Sequence, residues 1–186
     1  MEPDAGQSLV AIADVDVIAP NFKRRLSGVT STIIQLVPAQ RALGQKIATL
    51  GPGLPANLSH IRFRDLPRLW RRPTDGSTRV WHARRNIEML AAVLLRDVLR
   101  MPLRIAFTSA SQRRHTGWSR FLIGRMDAVI ATSAKTAAYL QVPNTVILHG
   151  IDTRRFHPPG DRASAKRAVG LPFKKRLKTR LLTLFC

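Results

Sequence analysis

Short, uninterrupted apolar runs alternate along this chain with longer segments whose apolar positions recur every three or four residues. The first kind reads as strands buried on both faces, the second as amphipathic helices. DVIAP at 16–20 is the first strand, closed by a turn. Ser27 to Leu43 reads as a helix with Gly28 opening it, Ile33, Ile34 and Val37 on one face, and Gly44 closing it. Pro38 is expected to kink or interrupt its last turns. KIATLG at 46–51 is the second strand, ended by Gly51-Pro52-Gly53.

Residues 54–78, with Pro55, Pro67 and Pro73, are the least regular stretch. TRVWHAR at 78–84 is a third strand. Asn86 is placed to cap the helix that follows, and Glu88 to meet its positive end. Ile87, Leu90, Ala91, Leu94 and Val98 recur at helical spacing and are expected to face a sheet, and Pro102 stops the helix. RIAFTSA at 104–110, a helix near 119–125, DAVIATS at 127–133, a helix at 134–140 and TVILH at 145–149 continue the alternation. This order predicts an α/β fold, a Rossmann-like parallel sheet with helices on both faces.

Composition narrows the partners. Apolar residues make up 45% of the 186 positions, ample for a buried core. The formal charge of +20, from 31 Lys and Arg against 11 Asp and Glu, suits nucleic acid, anionic lipid or phosphorylated substrates. An Arg-rich composition spread over a solvated surface explains the same number. Aromatics are few and no nucleic-acid recognition motif appears, which makes nucleic acid the weaker partner. The only cysteine is Cys186, so neither a disulfide framework nor a Cys-based zinc site is expected. His60, His82, His115, His149 and His157 have neither HxH nor HExxH spacing, so no metal is expected. MEPDAGQS carries acids where a signal peptide needs positive charge, and no run approaches the ~18 apolar residues of a membrane span. The expected location is the cytoplasm, with peripheral contact at the inner membrane open.

Three clusters fall where open parallel sheets bind ligands, just beyond strand ends. The first is Arg25 to Thr30, whose Ser27, Gly28 and Val29 begin a helix; it is either a phosphate approach or an ordinary helix start. The second is WHARRN at 81–86. There His82 either meets a sugar hydroxyl or caps the core, and Arg84 and Arg85 offer forked donors for phosphate or carboxylate. The third is TSASQR at 108–113, with Thr108, Ser109 and Arg113 as candidates. Separately, IRFRDLPRLWRR at 61–72 interleaves cations with apolar side chains, as a membrane-facing segment would, although Pro67 breaks any long helix. It also reads as a surface loop with an apolar anchor. There is no nucleophile elbow and no Ser-His-Asp spacing.

VILHGIDTRRFHP at 146–158 resembles the junction segment of retaining GT-B glycosyltransferases of family 4, and DAVIATSAKTAAYL resembles the strand and helix before it. From about Val17 to Leu171 the chain also resembles the alphaproteobacterial lipopolysaccharide-core mannosyltransferases, most clearly in 21–55 and 79–115. The resemblance implies that residues 14–158 form the N-terminal, acceptor-side domain of a GT-B enzyme. Gly150, Asp152 and Phe156 would lie at its interdomain hinge. It implies GDP-mannose as donor, no separate cofactor, and a lipid-linked or lipopolysaccharide-core acceptor. Ser27, Gly28 and Val29 would then border the donor diphosphate, while His82, Arg84, Arg85, Thr108, Ser109 and Arg113 would bind acceptor. Many relatives carry a sugar-contacting His near 108; this chain has Thr108 and Ser109 there, and His115 is only loosely placed for the role. Residues 159–186 read as a basic tail unlike the family's second, donor-binding domain, so a truncated and impaired transferase is expected.

Overall fold

The computed structural model describes residues 8–150, 158, 160–168 and 170. The chain divides after Ile147 into two compact units.

The first unit is built on seven parallel strands: β1 (Val17–Pro20), β2 (Ile47–Leu50), β3 (His60–Ile61), β4 (Arg79–Ala83), β5 (Leu103–Ser109), β6 (Ala128–Ala131) and β7 (Thr145–Val146). Their order is β3-β2-β1-β4-β5-β6-β7. The chain therefore winds outward from β1 in one direction, then returns to the centre and winds the other way. The switch point lies between β1 and β4, paired Val17 with Val80 and Ile18 with Trp81.

The helices are α1 (Gly28–Ala42), α2 (Asn86–Val93, running on as a wider π-turn to Val98), α3 (Gly117–Ile123) and α4 (Ala134–Leu140). Neighbouring strand residues face opposite sides. Ala19 and Ile47 pack with Ile33 and Val37 of α1. Ile18, Trp81 and Ile105 pack with Met89 and Ala92 of α2, Leu122 and Ile123 of α3, and Leu140 of α4. Helices thus flank both faces, as expected, but unevenly. On the α1 side, Val80, His82, Ala106, Thr108 and Ile130 are only half-buried, and Arg104 is exposed.

Several expectations need correction. Helix α1 continues through Pro38 to Ala42, so the proline does not end it. The edge strand β3 was not expected; two residues are too few to leave a pattern. Residues Phe63–Trp70 form a 3-10 helix that buries Leu69. Helix α2 bears out only part of its expected face: Leu90 and Ala91 pack against the core, but Ile87, Leu94 and Val98 are 54%, 47% and 66% exposed, while Glu88, Met89 and Ala92 are buried. The periodicity misled because a carboxylate sits on the buried face. Asn86 is not the cap. Arg85 precedes the first turn, and Glu88 Oε2 accepts the Arg84 and Arg85 backbone N–H groups at 2.8 and 3.1 Å. The side chain of Asn86 instead donates to Ser119 Oγ at 2.8 Å, linking α2 to α3.

Two charged networks brace the sheet away from its carboxyl edge. At the start of β4, the buried Arg79 donates to the carbonyls of Val15 (2.7 Å), Ile12 (3.0 Å) and Arg71 (3.0 Å). Beside the amino ends of β5 and β6, Arg96 bonds Asp97 and Asp127, each at 2.7 Å, and Arg125 bonds Asp97 at 2.6 Å. The second unit contains α5 (Arg162–Ala168), begun by Asp161, whose carboxylate accepts from the Ala163 and Ser164 N–H groups at 2.9 Å.

Candidate functional site

The carboxyl ends of β1, β4 and β5 stand side by side in the sheet. The three candidate clusters follow these strands, so the fold brings Ser27–Val29, His82–Arg85 and Thr108–Arg113 to one edge at the switch point. Gly150 is exposed in the second unit. Asp152 and Phe156 lie outside the described residues.

The loop leaving β1 is shaped from below. Gly51 has φ +112°, and a Cβ there would collide with the Asn21 carbonyl; Gly53 has φ +75°, and its Cβ would lie 2.6 Å from the Arg24 carbonyl. Only glycine lets the turn after β2 press this closely on residues 21–24. Asn21 Nδ2 completes the clasp, donating to the carbonyls of Pro52 (2.7 Å) and Lys23 (2.9 Å). The loop then carries exposed Lys23, Arg24 and Arg25 to Ser27, whose Oγ accepts from Thr30 N–H and caps α1. A Cβ on Gly28 would meet nothing within 4 Å, so the protein itself does not require glycine there.

Arg85 joins this loop to β4. Its Nη1 donates to Asn21 Oδ1 (2.7 Å) and Glu88 Oε1 (2.9 Å), and its Nη2 to Ser27 Oγ (2.8 Å) and Thr30 Oγ1 (3.0 Å). Four of its five N–H donors are thereby occupied by protein. Glu88 is fully buried beneath it. Burial pushes the Glu88 carboxyl up, opposed by the Arg84 backbone bond and the Arg85 charge. Arg85 is thus a positioning residue that holds the two loops at a fixed separation. Sequence reasoning found Ser27 and Thr30 in one cluster and Arg85 and Glu88 in another but missed Asn21. The residue immediately after a strand at a switch point was the available signal for Asn21.

The neighbouring group is less saturated. His82 Nε2 lies 2.7 Å from Thr108 Oγ1 across β4 and β5. Arg84 Nη2 approaches His82 Nδ1 at 3.5 Å, and Nη1 donates to the His82 carbonyl at 3.3 Å. With a cation beside Nδ1, the network assigns the ring proton to Nε2, which donates to Thr108. Burial, reinforced by the Arg84 charge, pushes the imidazole down to about 3, so His82 is neutral at physiological pH. Burial likewise lowers Arg84 to about 10, with Glu88 opposing. Thr108 keeps its hydroxyl hydrogen, and Arg84 keeps guanidinium donors, for a polar ligand. Ser109 is buried, its Oγ accepting from Ser111 N–H at 3.3 Å, whereas Arg113 is exposed in the following loop. Among the described residues, no three His, Cys, Asp or Glu side chains group so as to hold a metal ion.

The stretch at 61–72 divides its side chains: Leu69 is buried, Trp70 Nε1 donates to the Leu99 carbonyl at 2.8 Å, and Phe63 and Trp70 remain about half exposed. Among the described residues, no helix is long and apolar enough to cross a membrane.

A doubly wound parallel sheet with polar and cationic donors at its switch point is a Rossmann-like domain. Its similarities are more specific. The chain is 76% identical over 168 residues to the lipopolysaccharide core biosynthesis mannosyltransferase LpsB of Rhizobium meliloti (strain 1021), covering 90% of this chain and 48% of that protein. It is 60% identical over 161 residues to the lipopolysaccharide core biosynthesis mannosyltransferase LpcC of Rhizobium leguminosarum bv. viciae, covering 87% of this chain and 46% of that protein. The chain spans about half the length of these curated relatives. No family model matches it.

Proposed function

We propose that this domain is the acceptor-side half of a GT-B glycosyltransferase that transfers mannose from GDP-mannose to the lipopolysaccharide core. The observation that carries the reading is the 76% and 60% identity, along nearly the whole chain, to two proteins named as lipopolysaccharide core biosynthesis mannosyltransferases. The switch-point geometry supports it. Thr108 and Arg84 are the donors free to meet acceptor hydroxyls and acidic groups, His82 fixes Thr108, and the Ser27–Val29 turn borders the donor diphosphate. Retaining transfer needs charge stabilisation as the sugar–phosphate bond breaks. In this reading the half of the relatives that these 186 residues do not span supplies most of it. The domain works on the cytoplasmic side of the inner membrane, in peripheral contact with its anionic surface, to which its +20 charge draws it.

The test is transfer of radiolabelled mannose from GDP-mannose to core-deficient lipopolysaccharide. This chain is compared with a version extended by the remaining half of the Rhizobium meliloti relative. Activity in the extended protein, lost on Arg84→Gln, supports the reading. Inactivity of both, with the extended protein folded, overturns the mannosyl assignment, and full activity of the short chain overturns the need for a second half.

A further inference from the structure

Outside the switch-point group, a cavity of about 110 Å³ is lined by Arg114, His115, Arg120, Tyr139 and Gln141. It lies between the loop after β5, helix α3 and the end of α4. Its chemistry is one-sided: two guanidinium groups, an imidazole, a phenol and an amide, with no acid. Among the described residues, no side chain or carbonyl bonds either guanidinium, and His115 Nε2 is buried without a hydrogen-bond partner. A buried polar atom without a partner calls for an explanation. Here two unpaired cations stand beside it. The space admits several water-sized groups and so has room for a phosphate-type oxyanion.

The same helix shows where such a phosphate would come from. Trp118 and Phe121 of α3 stack with centroids 5.7 Å apart and planes 19° apart, yet are 52% and 56% exposed. Ser119, Leu122 and Ile123 bury the opposite side, so α3 is anchored and its aromatic pair is held outward. Arg113, Arg114 and Arg120 surround the pair in sequence, and all three are exposed. Aromatic rings next to arginines suit the interface of an anionic bilayer, where rings enter the headgroup layer and guanidinium groups meet phosphates.

We propose that Arg114, Arg120, His115 and Tyr139 form a binding site for a single phosphate-type oxyanion, carried by an anionic lipid headgroup while Trp118 and Phe121 enter the bilayer surface. The site deepens the membrane contact proposed above and does not depend on the transfer reaction. Its failure is separable, because vesicle binding is read without donor or acceptor sugar.

The experiment uses the whole chain. Sedimentation with phosphatidylglycerol-containing vesicles is compared for the Arg114→Gln/Arg120→Gln pair and a Lys46→Gln/Arg104→Gln pair, which removes the same charge elsewhere. Folding of each variant is checked by circular dichroism. The pocket pair is expected to weaken binding about tenfold or more, and the control pair about threefold or less. Equal losses overturn the site in favour of diffuse charge. In parallel, the His115 ring resonances are followed by NMR as inorganic phosphate is added. A shift abolished in the pocket pair supports the oxyanion site, and no shift overturns it. Trp118→Ser/Phe121→Ser should weaken vesicle binding and leave the phosphate shift intact. Unchanged vesicle binding in that variant overturns the lipid as the source.

Discussion

Arg85 Nη1 lies 2.7 Å from Oδ1 of Asn21, 64 residues earlier, and this bond spans the switch point of the sheet. Around it the guanidinium also holds Ser27, Thr30 and the fully buried Glu88. Arg85→Ala is therefore expected to strand a buried carboxylate and cost about 3–5 kcal/mol in urea unfolding. Arg85→Lys keeps the charge but cannot span four acceptors, and should lose about half as much. A loss under about 1 kcal/mol for the alanine variant would mean that Glu88 finds another partner.

His82 gives a pH signature. Its folded value of about 3 lies below the unfolded value near 6.5, so between those limits the unfolded chain binds the proton and the folded one does not. Stability due to this group is intact above pH 6.5 and falls as pH drops toward 3, by at most about 1.4 kcal/mol per pH unit. The His82 ring resonances should stay at their neutral positions from pH 8 to pH 5. Arg84→Gln should move the midpoint up. An ordinary titration near pH 6.5 in the unmutated protein would contradict the burial of the ring.

Asp97 behaves in the opposite sense. Hydrogen bonds from Arg96 and then Arg125 hold its carboxyl down to about 2, below the ordinary 3.8. Its contribution is present above pH 3.8 and is lost as pH falls through 2. Because the pair is near the surface, Asp97→Asn should cost only about 1 kcal/mol at neutral pH. Acid unfolding below pH 4 should then be shallower than in the parent. Thermal melts across pH 2–7 check both.

Two glycines separate close approach from simple helix propensity. Gly51→Ala combines φ +112° with a collision against the Asn21 carbonyl, and should cost several kcal/mol while displacing residues 21–24. Gly28→Ala meets nothing and starts a helix, so it should be neutral or stabilise by up to about 1 kcal/mol. Denaturant midpoints measure both, and amide shifts of Asn21–Arg24 report the displacement. A mild Gly51→Ala variant would show that the loop is not pinned.

The strands were legible as short apolar runs such as those at 16–20 and 127–133, although only β1 and β2 are buried on both faces and β4 to β6 bury mainly one. The gathering of Ser27, His82, Arg84 and Thr108 at one edge was also legible, since each follows or ends such a run. The buried face of α2 was read only in part, through Leu90 and Ala91, for a physical reason: Glu88 is buried to serve two backbone N–H groups and Arg85, and apolar periodicity assigns a carboxylate to solvent. The partnership of Asn21 and Arg85 leaves no local trace, because it depends on β4 returning to the side of β1. The cavity beneath Arg114 and Arg120 was equally hidden, since Tyr139 reaches it from another helix. The sequence places His115 only loosely for a sugar contact, and its position beside Arg114 and Arg120 depends on how the folded elements pack.

The return of β4 to the centre of the sheet sets a timetable. On a growing chain, β1 can pair with β2 as soon as Leu50 is out, but its other edge has no partner until Arg79 appears. At ~5–20 residues per second, that interval is on the order of a few seconds, long compared with hairpin or helix formation. When β4 arrives it carries a clamp at each end: Arg79 closes on the carbonyls of Ile12 and Val15, and Arg85 on Asn21, Ser27 and Thr30. Only the second clamp lies at the carboxyl edge, so joining the loops there and covering the bare side of β1 fall in one step of synthesis.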